Sequence, residues 1–124
     1  MMVRILVPPI KTQGIKTKLV PWIKEHTKTT EGGRWIEPFM GSGVVGFNIR
    51  PSKATFCDNN PHIISFYQGI NSGEITAGIT RNFLEKEGAI LKERGKEFYY
   101  EVRERFNDSH NPLDFLFLNR ACFN

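Results

Sequence analysis

The stretch Trp35-Ile-Glu-Pro-Phe-Met-Gly-Ser-Gly43, with Val44-Val45-Gly46-Phe47 after it, constrains the fold of this chain more than any other. An apolar run closing on an acid and a proline predicts a strand over 35–39, because Pro38 keeps Glu37 extended. Two glycines one residue apart then permit a sharp turn, and the residues from Ser42 to Ile49 read as the helix that follows. Arg50-Pro51 ends it, Lys53 to Cys57 (Lys-Ala-Thr-Phe-Cys) reads as a second strand, and Asp58 closes that strand. Strand, glycine loop, helix and strand in about two dozen residues suit the first half of a nucleotide-binding α/β fold.

The flanks are read the same way. Met1 to Pro9 predicts an extended arm, since two successive prolines oppose helix. A polar loop from Ile10 to Lys18 leads into a short amphipathic helix carrying Leu19, Val20, Trp22 and Ile23, with Pro21 suited to its first turn. Asn60-Pro61 is a helix start, and Ile63, Ile64, Phe66, Tyr67 and Ile70 form a broad apolar face taken as core before Asn71-Ser72-Gly73 stops the helix. Further helices are expected around Phe83 to Leu91, Phe98 to Phe106 and Leu113 to Leu118, with 107–112 as a loop.

Charge and cysteine usage narrow the class. The formal charge is +4, and residues 1–34 hold seven Lys or Arg against two Glu, so the basic excess sits at the N-terminus. Such an arm suits a phosphate partner and equally suits an exposed basic surface. Cys57 and Cys122 have no zinc spacing and are too few for a disulfide framework, which points to a reduced, cytoplasmic protein. Cys57 itself reads as a buried strand residue. His26, His62 and His110 are scattered, so no metal is implied. Val3 to Ile10 is too short to span a membrane.

Three ligands compete for the glycine loop. Gly41-x-Gly43-x-x-Gly46 satisfies a dinucleotide fingerprint. A P-loop fails, because Phe47-Asn48 stands where Lys and Ser or Thr must meet phosphate and magnesium. Glu37 at the strand end favours S-adenosylmethionine over NAD: the acid can reach a cationic amino-acid group or organise the loop, whereas it repels pyrophosphate. Asp58 can accept both ribose hydroxyls, a feature the two cofactors share, and both acids also read as ordinary strand ends. From charge alone, Lys11 and Lys16 are solvated lysines.

Four motifs in order then carry a resemblance: Lys11-x-x-Gly-x-Lys16, Glu37-Pro-Phe-Met-Gly-Ser-Gly43, Cys57-Asp-Asn-Asn-Pro61 and Leu118-Asn-Arg-x-x-Phe-Asn124. Together they resemble the Dam-like (D12 class) adenine-specific DNA methyltransferases, across essentially the whole chain. The resemblance implies an S-adenosyl-L-methionine cofactor, double-stranded DNA as partner, a prokaryotic or phage setting, and the N-terminal part of a Rossmann-like methyltransferase fold followed by a helical segment. It places Thr12, Lys16, Glu37, Phe39, Gly41, Gly43 and Asp58 at the cofactor, and Lys11, Asn119, Arg120, Phe123 and Asn124 at or near DNA. Thr12 stands where the family has Trp, and Ile15 where it has Gly.

The family's catalytic segment is Asp-Pro-Pro-Tyr, and none occurs in these 124 residues. Two readable strands with open edges also make too small a sheet to stand unaided. The expectation is therefore an N-terminal half: residues 1–73 from the cofactor domain and 74–124 opening the target-recognition region. On this reading no catalytic residue is present, and activity needs a complementary polypeptide or self-association. The alternatives are a non-catalytic DNA-binding or assembly module of the same fold, and an NAD-binding fragment.

Overall fold

The structure is a computed structural model that describes residues 4–28 and 32–122. By packing, the chain divides into two compact units, Met1–Asn60 and Pro61–Asn124.

The first unit is built on the predicted strand, helix and strand. A turn of 3₁₀ helix at Thr17–Leu19 leads into α1 (Val20–His26), followed by β1 (Trp35–Glu37), α2 (Val44–Ile49) and β2 (Ala54–Phe56). The strands are parallel, with Trp35 opposite Ala54, Ile36 opposite Thr55 and Glu37 opposite Phe56. Bonds from Trp35 N–H to Lys53 O (2.9 Å) and from Cys57 N–H to Glu37 O (2.8 Å) extend the ladder. Both strands are shorter than expected. Pro38 has no N–H to give the ladder, and the chain turns immediately after Glu37. Ile10, Val20, Met40 and Val44 are buried.

Period-two alternation corrects one reading, and the burial of α1 another. Glu37 and Phe56 lie on the half-buried face of the sheet, and Gly46 of α2 packs against that face at the Phe56 ring. Ile36, Thr55 and Cys57 lie on the other face and are exposed, so Cys57 is not buried. On α1 only Val20 is buried, and Leu19 and Trp22 face solvent.

The arm preceding Lys11 is held by a residue that the loop motif hides. Asn48, 7% exposed on α2, accepts the Leu6 N–H on Oδ1 (2.8 Å) and donates from Nδ2 to Leu6 O (2.9 Å) and Val44 O (2.6 Å). Its amide thus substitutes for a neighbouring strand. Asn48→Ala removes both partners of Leu6 and is expected to cost about 1–2 kcal/mol, read from urea unfolding, with faster hydrogen exchange at the Leu6 amide. An unchanged Leu6 exchange rate would show that the arm is held elsewhere.

The second unit is helical: α3 (Pro61–Ser72), α4 (Ala77–Arg94), α5 (Lys96–Ser109) and α6 (Pro112–Ala121). Thr76 caps α4 by accepting the Ile79 N–H (3.1 Å), and Asn111 caps α6 by accepting the Leu113 N–H (2.8 Å), with Pro112 in the first turn. Phe98, Val102 and Phe117 form a core joined by Phe83, Leu84, Ile90 and Leu91. Of the face predicted on α3, Ile63 and Phe66 are buried, whereas Ile70 is exposed. Helix α5 runs to Ser109, past the expected Asn107 boundary, and stops where His110 turns left-handed and donates its N–H to Phe106 O (2.7 Å). No helix among the described residues is long and apolar enough to cross a membrane.

Candidate functional site

Because β1 and β2 are parallel, their C-terminal ends meet at one edge, and the glycine loop and Asp58 gather there. Gly41 and Gly43 have φ of +54° and +85°, a region that side chains with a Cβ rarely adopt, so the two glycines are required by the turn itself. An added Cβ on Gly43 would also overlap the Phe47 ring.

Asp58 organises the loop. Its Oδ2 accepts the Gly41 N–H (2.8 Å) and its Oδ1 accepts the Asn60 N–H (2.9 Å), fastening the end of β2 to the turn after β1. A carboxylate has about four lone-pair positions, so capacity for two further donors remains. The Met40 N–H donates to Cys57 O (2.8 Å), a second tie between the same segments. Glu37 is half-buried and accepts from Trp35 Nε1 (2.9 Å).

The N–H groups of both loop glycines and of Val44 are already engaged. The Gly41 N–H goes to Asp58, the Gly43 N–H to Met40 O (2.9 Å) and the Val44 N–H to Ser42 Oγ (3.3 Å). A dinucleotide loop must keep such groups for pyrophosphate. Here an anion would instead meet a carboxylate, with a repulsion of about 3 kcal/mol at roughly 5 Å and an effective dielectric near 20. The geometry suits a ligand that brings cationic charge and hydroxyl donors.

The other predicted residues fall as follows. Thr12 is half-buried, and its Oγ1 would lie 3.6 Å from a Cβ on Gly41, so it borders the loop. Phe39 is 84% exposed, an aromatic ring presented at the strand edge. Lys11 and Lys16 are exposed, and the Lys16 ammonium donates to Gly14 O (2.8 Å). Asn119 and Arg120 occupy the last turn of α6 in the second unit, half-buried and exposed respectively. Phe123 and Asn124 lie outside the described residues. Reading by motif missed Ser42 and Asn48, both buried, and Gly46, whose spacing in the glycine run was the available signal.

Comparison with known proteins agrees with the motif order. The family profile described as D12 class N6 adenine-specific DNA methyltransferase matches residues 13–124. The type II methyltransferase M.MjaIII of Methanocaldococcus jannaschii is 31% identical over 94% of this chain and 46% of its own length. A DNA adenine methylase of Vibrio cholerae is 33% identical over 93% of this chain and 41% of its own. The DNA N-6-adenine-methyltransferase of Escherichia phage P1 is 34% identical over 76% of this chain and 12% of its own. The chain thus spans less than half the length of these relatives. No solved structure gave a significant match.

Proposed function

Given that the chain belongs to the D12 class N6 adenine-specific DNA methyltransferases, we propose that it binds S-adenosyl-L-methionine at the glycine loop, as part of an enzyme that methylates adenine N6 in double-stranded DNA. The observation that carries this reading is the Asp58 carboxylate seated under Gly41, which closes the loop to pyrophosphate and keeps acceptors for ribose hydroxyls. Glu37 adds negative charge for the amino-acid end of the ligand, and Phe39 supplies an exposed ring on the same methionine side of the loop. Bound there, the cofactor supplies a sulfonium methyl group. Residues 1–73 then belong to a Rossmann-like cofactor domain and 74–124 open the recognition region, and Lys11, Asn119, Arg120, Phe123 and Asn124 are assigned to DNA binding.

Methyl transfer to N6 asks for more. The amine's lone pair is delocalised into the ring, so the flipped base needs acceptors on the amine and an aromatic stacked on it. The 124 residues contain no Asp-Pro-Pro-Tyr to provide them. We therefore assign catalysis to a segment outside these residues, in the cytoplasm of a prokaryote.

Titration calorimetry tests the cofactor claim. S-adenosylmethionine should bind in preference to NADH, and Asp58→Ala should weaken it tenfold or more, about the value of a hydrogen bond to a charged group. Equal affinity in Asp58→Ala would remove the claim. A second reading, a DNA-binding module without cofactor, draws on Thr12, which borders Gly41 where the family resemblance calls for Trp. It predicts DNA affinity and no heat with the methyl donor.

A further inference from the structure

We propose that the helical unit carries a site for a divalent first-row metal ion of the zinc, nickel or copper type, held between His62 and His110. The sequence keeps these histidines far apart, one in the first turn of α3 and the other where α5 ends. The fold sets their imidazoles side by side, with ring centroids 5.6 Å apart and planes inclined at 38°. Two imidazoles that share a tetrahedral zinc, each nitrogen about 2.0–2.1 Å from the ion, hold their ring centroids roughly 5–6 Å apart. The pair already has the spacing of a chelate.

Both rings are braced. Phe106 of α5 meets His62 edge-on at 4.7 Å and His110 at 5.9 Å, and Phe115 of α6 lies 5.7 Å from His62. Phe106 is buried and Phe115 half-buried, so apolar surface backs the pair, whereas His110 itself is exposed. An ion thus has a way in from solvent and a backing that lowers the dielectric around its bonds.

The backbone at His110 adds a second reason. Its φ of 56° is left-handed, a conformation that costs glycine least and that helix ends commonly assign to glycine. The N–H donates to Phe106 O (2.7 Å), and the next residue, Asn111, caps α6. Histidine here is held between two helix ends, with little left to order when an ion binds. Filling space beside Phe106 needs only a ring, whereas two imidazoles each add a lone pair. Imidazole suits zinc, nickel and copper, while calcium and magnesium take oxygen. Among the described residues no third His, Cys, Asp or Glu completes a protein-only set, so water fills the remaining positions. Bound there, the ion ties the start of α3 to the turn between α5 and α6, and the folded unit gains stability with metal concentration.

Side-chain ¹H–¹⁵N NMR of the histidines, recorded on the full chain as zinc is added, tests this. The expected result is saturable movement of the His62 and His110 ring signals together, at one zinc per chain and ahead of His26, with a melting temperature that rises with zinc and not with magnesium. His62→Phe keeps a ring against Phe106 without a ligand nitrogen, and His110→Asn keeps a residue that tolerates the left-handed turn. Each should weaken zinc binding tenfold or more by titration calorimetry. Ring signals of the pair that move separately, not at all, or only after those of His26 overturn the proposal, as does undiminished zinc affinity in both variants. Should a variant fail to fold, the ring signals of the unaltered chain decide.

Discussion

Arg105→Met is expected to destabilise the helical unit by about 3 kcal/mol, measured by urea unfolding followed by far-ultraviolet circular dichroism. Arg105 reaches from α5 to two buried acids. Its Nε donates to Asp114 Oδ1 (3.2 Å) and Oδ2 (3.1 Å), and its Nη2 donates to Asp114 Oδ1 (2.6 Å) and Glu87 Oε1 (2.9 Å). Glu87 on α4 and Asp114 on α6 are only 5% and 3% exposed, so one guanidinium joins three helices. The hydrogen bond to Asp114, with the charges of both acids, raises the Arg105 pKa and keeps it cationic throughout. Without it, two carboxylates are left buried with no counter-charge. The magnitude falls at the low end of the roughly 3–5 kcal/mol for breaking a buried pair, because the Arg105 side chain is 46% exposed and water can replace part of it.

A companion variant separates charge from packing. Changing Arg105, Glu87 and Asp114 together to apolar residues removes every member of the network and should recover most of the loss. Glu87 Oε2 already lacks a hydrogen-bond partner among the described residues, so the native arrangement leaves one acceptor unmet. A loss below about 1 kcal/mol in Arg105→Met would mean that the acids are solvated without it.

Gly46→Val carries the largest expected effect in the first unit: about 3 kcal/mol or more in unfolding, together with loss of methyl-donor binding. A Cβ at Gly46 would overlap the Phe56 ring and lie 3.2 Å from Glu37 Oε1, so α2 could not keep its place against the sheet. The ring has little room to withdraw, since it already packs on Phe47 with centroids 5.4 Å apart. The loop from Met40 to Gly43 hangs between β1 and α2, and its geometry goes with that packing. Gly88→Ala provides the contrast. Gly88 sits inside α4 with nothing within 4 Å of an added Cβ, and the substitution should stabilise by about 0.5–1 kcal/mol through helix propensity alone. If Gly46→Val melts like the parent protein, the close helix-on-strand contact is not what holds the loop.

Much of the first unit was legible because its signals are local. Pro38, Gly41 and Gly43 act on their own backbone, and Arg50-Pro51 ends α2 within one turn. The spacing of Phe98, Val102 and Phe106 likewise revealed the buried stripe of α5, and all three are buried. The four ordered motifs carry the family by themselves, since residue type and order hold that information.

What a linear reading could not supply was partners distant in the chain. Which face of a short strand is covered depends on where α2 lands, so Cys57, expected to be a buried strand residue, stands exposed. Asn48 carries no local signal for its role, yet it grips Leu6 across 42 positions. Asp58 showed itself as a strand-end acid; only the folded loop revealed that Gly41 occupies one of its oxygens and that the glycine amides are no longer free for phosphate. The residues by themselves determined the loop and the family. The tertiary structure decided which hydrogen-bonding groups remain for a ligand, because a donor or acceptor already satisfied within the fold is not available to anything else.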